Sequence, residues 1–131
     1  MGAWGVEVYD NDDAADWCAD LEADGARAIA QALGAALQDG YLDGDVGARA
    51  LAAADVLGRL RTGDVALDSA YGPGDWMRAQ SAAPSDDLVR LAERAVDRVT
   101  GPDSELAELW RETEDFGAWQ ASVRTVIGRL L

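Results

Sequence analysis

Residues 44–61 read GDVGARALAAADVLGRLR, and their spacing decides the fold. Ala50, Ala53, Ala54, Leu57 and Leu60 recur at the period of one helix face, so the run predicts a helix that packs through small side chains. Alanine loses no side-chain entropy in a helix and lets neighbouring helices come close. Asp43-Gly44-Asp45 leads into the run and Gly63 ends it, as glycine commonly does just past a C-terminus.

Working outward, the same period recurs on both sides. Upstream, Ile29, Ala30, Leu33, Ala36 and Leu37 predict a helix to about Gln38, with Gly40 as its cap. Ahead of it, Ala14, Trp17, Cys18 and Leu21 predict a helix that opens at Asp12 as N-cap and breaks or kinks at Glu22-Ala23-Asp24-Gly25. Residues 1–12 read as an extended lead-in, in which Trp4 between Gly2 and Gly5 is expected to plug a groove between helices. As a strand, Val6 to Tyr9 has only Val65 to Leu67 to pair with, so real sheet is not expected.

Downstream, residues 62–83 are the least regular stretch, centred on Tyr71-Gly72-Pro73-Gly74. Structureless loops beyond about 12–15 residues are uncommon in compact folds, which predicts a short helix over Asp75 to Gln80 seated by Trp76 and Met77. Pro84 suits the first turn of a helix burying Leu88, Leu91, Ala92, Ala95, Val96 and Val99. Gly101-Pro102 breaks that helix, and Asp103 or Ser104 caps the next, with Leu106, Leu109 and Trp110 inward. After Asp115, the positions Phe116, Trp119, Val123, Val126, Ile127 and Leu130 form an amphipathic stripe. The expectation is an all-α fold: a single compact bundle of five to six helices with an extended N-terminal lead-in, one domain over residues 1–131.

The composition excludes several chemistries. With no histidine and Cys18 the lone cysteine, catalysis by Ser-His-Asp or Cys-His groups, zinc-hydrolase motifs and an intramolecular disulfide all lack their residues. No apolar run approaches the roughly 18 residues of a membrane span, and the first residues lack the basic and apolar regions of a secretory signal. Val6 stands where a myristoylation motif needs Ser or Thr. A cytoplasmic location is expected, without membrane binding.

All basic residues are arginine, and the 26 alanines match a GC-rich coding sequence. The net charge is −14, and most of it lies early: residues 1–45 carry 11 acidic groups against Arg27 alone, a net of −10. Nothing supplies the basic footprint that phosphate backbones require, so nucleic-acid binding is not expected.

The opening Met-Gly-Ala-Trp-Gly, then Asp10-Asn11-Asp12, Ala14 and Asp16-Trp17, resembles the start of a bacterial family catalogued as domain of unknown function 4259. Asp103-Ser-Glu-Leu-Ala-Glu-Leu-Trp110, with Trp119 and a final apolar helix, is similar to that family's C-terminal end. The resemblance implies membership over the whole chain and transfers no catalytic residue.

The densest chemistry is the acidic run Glu7, Asp10, Asp12, Asp13, Asp16, Asp20, Glu22 and Asp24, with no basic residue between. Asp12, Asp13, Asp16 and Asp20 are candidates for a hard divalent cation, placed on the face opposite Trp17 and Leu21; the spacing fails the EF-hand order. Near a helix N-terminus, acids are also favoured by the dipole, by about 0.3–1 kcal/mol each. That explains Asp12 and Asp13 but not Asp20 or Asp24, where like charges four apart repel.

Asp13, Asp16, Asp20 and Asp24 are therefore the candidate partner-binding residues. Trp17, Trp110 and Trp119, like Trp4, are read as structural; Trp76 beside Tyr71 is the candidate for an exposed aromatic site, though packing is favoured there too. Cys18 reads as a buried, inert thiol. The expected function is a non-catalytic acidic interaction module, without cofactor, that meets a basic protein surface in an immunity- or antitoxin-like manner. The alternative is a carboxylate-based enzyme or divalent-metal-dependent binder using the same acidic cluster.

Overall fold

The computed structural model describes residues 3–67 and 72–131. Over these residues the chain is all-α, with seven helices: α1 (Asp12–Asp24), α2 (Ala26–Ala36), α3 (Gly44–Thr62), α4 (Gly74–Arg78), α5 (Asp86–Thr100), α6 (Glu105–Arg111) and α7 (Phe116–Leu130). Five to six were expected; the short α4 and the full break between α1 and α2 raise the number. The break is at Gly25, whose φ of 60° turns the chain where an L side chain would be strained.

The central element is α3, which packs against α1, α2, α5, α6 and α7. Residues 50–58 are all buried, not only the face the sequence reading placed inward, while Leu60 is half-buried. A helix enclosed on every side is the usual fate of one that is apolar all round. Alanines at 50 and 52–54 keep its girth small. At Gly58 the approach is closest, since an added Cβ would stand 2.8 Å from the Arg129 Cβ of α7.

Side-chain caps set three of the helix starts. Asn11, rather than Asp12, caps α1, its Oδ1 accepting from the Ala14 N–H at 2.8 Å. Ser85 caps α5 and Ser104 caps α6 in the same way. Pro84 consequently lies ahead of the α5 cap and not in its first turn. Leu37 ends α2, and Gly40 falls in the following turn. That turn is pinned to the α5–α6 connection: the Leu42 N–H donates to the Asp103 carbonyl at 2.8 Å, and the Glu105 N–H donates to the Leu42 carbonyl at 2.9 Å.

The segment before α1 folds back on itself. Ala3 and Asn11 form an isolated antiparallel bridge, and the Trp4 N–H donates to the Asp10 carbonyl at 2.9 Å. Val6 to Tyr9 is not a strand. Trp4 does not plug a groove: it is 51% exposed, because the fold-back leaves Tyr9, at 3% exposure, as the residue inserted into the core. Trp17, Trp110 and Trp119 are buried, and Trp76 is half-buried against the core. Tyr71, its expected neighbour, lies outside the described residues.

Candidate functional site

Tyr9 anchors the N-terminal segment through a buried polar cluster. Its hydroxyl donates to Asp55 Oδ2 at 2.8 Å, and Asp55 is 2% exposed in the middle of α3. Arg59 Nε meets the same oxygen at 2.8 Å, and Arg129 of α7 reaches the other at 3.4 Å. Arg129 also pairs with Asp64 at 3.1 Å. Burial first, then the charge and hydrogen bond of Asp55, hold the Tyr9 hydroxyl well above its ordinary pKa of 10.0, against a smaller opposing pull from Arg59. The cluster lines a cavity of about 260 Å³, and its polar groups satisfy one another. Its arrangement is that of a clamp between the segment, α3 and α7.

A cleft of about 170 Å³, bounded by α3, α6 and α7, shares Glu7, Val8 and Ser122 with this cavity. Val6, Val8, Leu106, Leu109, Trp110 and Trp119 supply much of its wall. The two indoles stack with centroids 6.3 Å apart and planes 12° from parallel, and Phe116 stacks on Trp119 from 6.1 Å. Leu109, expected inward, is 36% exposed and gives the cleft part of its apolar surface.

Among the described residues, four carboxylates border the cleft, from Glu7, Asp13, Asp45 and Glu105, and no arginine lines it. Two are held in place: the Gly44 N–H donates to Glu105 Oε1 at 2.7 Å, and the Ser122 hydroxyl donates to Glu7 Oε2 at 3.4 Å. Asp45 pairs with Arg49 at 3.1 Å, while Glu7, Asp13 and Glu105 have no ion pair among the described residues. Such a cleft can accept a group that is apolar along its length and positive at its end.

The acids singled out in the sequence do not line one site. Asp13 borders the cleft, whereas Asp20 and Asp24 line a separate shallow groove together with Trp17 and Arg49. Asp20 was placed opposite Trp17, but at 100° per residue the position three further on lies on its flank. Asp12 and Asp16 are exposed. Among the described residues, no group of three or more acids or cysteines stands close enough to hold a metal ion.

Cys18 is half-buried rather than enclosed. Burial, with the charge of Glu22, pushes its thiol up to about 11, which leaves little thiolate at neutral pH. The sequence reading missed Tyr9, Asp55 and Glu105. Asp55 was the findable one: a lone carboxylate in the run Ala-Ala-Ala-Asp-Val-Leu, with Arg59 one turn on, signals a buried ion pair.

Fold and cleft together define an all-α protein wrapped about one buried helix, with an acid-bordered apolar opening beside its N-terminal segment. The chain belongs to the family described as Domain of unknown function (DUF4259), which matches it over residues 2–122. No curated protein and no solved structure matches it. None of the helices, among the described residues, is long and apolar enough to cross a membrane.

Proposed function

We propose that the protein is a non-catalytic interaction module of the cytoplasm whose acidic N-terminal side captures a basic surface of another protein. The observation that carries this reading is the cleft itself, which among the described residues combines an apolar wall with four bordering carboxylates and no lining arginine. The stripe Asp13, Asp16, Asp20 and Asp24 runs along α1 from this border and extends the negative field. Fields of this kind speed the encounter with an oppositely charged partner and reject like-charged ones. Antitoxin- and immunity-like capture is the type of role that such a surface serves.

The test replaces Asp13, Asp16, Asp20 and Asp24 together with Asn. Folding should be unchanged or slightly improved, since like-charge repulsion is relieved. Association with a basic partner, once isolated by affinity capture, should slow, and association of the parent should weaken as salt rises. Capture by the variant at the parental rate would refute the role of the stripe.

A further inference from the structure

Resting on that reading, we infer that the cleft is a receptor for one arginine side chain projected by an extended segment of the basic partner. A cavity of about 170 Å³ has room for a single long side chain, not for a helix face. Its wall of Val6, Val8, Leu106, Leu109 and the stacked Trp110–Trp119 pair suits the aliphatic stem of an arginine. The guanidinium then reaches Glu7, Asp13 and Glu105, which have no ion pair among the described residues. A guanidinium is more weakly hydrated than an ammonium and presents its donors in a planar fork, so it is the cation best able to leave water for a half-apolar opening.

Preorganisation favours the same occupant. Glu105 is already oriented by the Gly44 N–H at 2.7 Å, so this carboxylate has little ordering left to oppose binding. A second copy of the chain is a poor occupant, because two molecules of net charge −14 repel across this face. A bare metal ion would leave the apolar wall uncovered.

The experiment titrates the full chain with the capped pentapeptide Ala-Leu-Arg-Leu-Ala and with its twin carrying citrulline, which keeps the shape of arginine and loses the charge. The indole N–H resonances of Trp110 and Trp119 should shift saturably with the first, and the citrulline peptide should bind about tenfold more weakly or worse, the loss of a charge-assisted contact. Glu7→Gln with Asp13→Asn should weaken the arginine peptide by a similar factor while the chain stays fully folded at the assay temperature; Asp20→Asn with Asp24→Asn should not. Equal binding of the two peptides overturns the inference. If only the Asp20 and Asp24 replacements weaken a salt-sensitive interaction, the cleft is not the receptor although the acidic side still binds basic partners. If the arginine peptide and all basic proteins fail to bind the parent at low salt, this inference and the proposed function fall together.

Discussion

Tyr9 does at the N-terminus what Trp4 was expected to do, and the two are separable by mutation. Tyr9→Ala should destabilise the fold by about 3–5 kcal/mol, the range for deleting a buried large aromatic. Trp4→Ala, at a position 51% exposed, should change it by about 1 kcal/mol or less. Chemical denaturation of both variants checks the ranking. Asp55→Ala should also be severe, about 3–5 kcal/mol, because it leaves the Arg59 guanidinium and the Tyr9 hydroxyl without the buried charge they share.

Tyr9 also sets an alkaline limit. A folded-state pKa raised above the unfolded one means stability that is whole below the unfolded value of 10.0 and lost as pH rises through the folded value. Cys18, raised from 9.0 to about 11, adds a loss of the same sign that begins nearer pH 9. Tyr9→Phe should flatten the fall in stability above pH 10 by up to one proton, about 1.4 kcal/mol per pH unit. Denaturation curves at several alkaline pH values measure that slope, and a parallel fall in parent and variant would refute the assignment.

Among elements, the decisive contact is α3 with α7. Gly58→Ala would place a methyl group 2.8 Å from the Arg129 Cβ, the root of that side chain rather than its flexible end. The helices must then move apart, and the change should cost about 1–3 kcal/mol despite alanine's better helix propensity. Gly34→Ala in α2 meets nothing within 4 Å among the described residues and should stabilise by about 0.5–1 kcal/mol. Thermal unfolding of the pair should therefore shift in opposite directions. The helices themselves were readable because each long one repeats apolar residues at its own period. Capping was less so, since Asn11 and Asp12 are both good caps and only the fold-back of residues 3–11 selects Asn11.

For the whole molecule, the charge of −14 makes two predictions of opposite sign. Self-repulsion opposes compactness, and the exposed ion pairs that salt would weaken are each worth little, so the melting temperature should rise from low to physiological salt. Over the same range, association with a basic partner should slow, because exposed charges are screened within about 8 Å. A melting temperature that falls with salt would mean that attractive exposed pairs, such as Asp45 with Arg49 and Asp64 with Arg129, outweigh the repulsion.

Period and composition were enough to establish an all-α chain, the placing of most of its helices, the early concentration of acid, and the lack of histidine-based chemistry. They act locally: a helix repeats every 3.6 residues whatever lies next to it. The cleft depends on contacts between residues far apart in the chain. Glu7 and Ser122 are 115 positions apart, and Tyr9 is 46 from Asp55. Which aromatic enters the core, which carboxylates gather beside Trp110 and Trp119, and which remain on the surface with Asp16 were decided by how α6, α7 and the N-terminal segment close around α3. No periodicity along one segment encodes that, because the competition for a buried slot is settled by the shape the other segments leave.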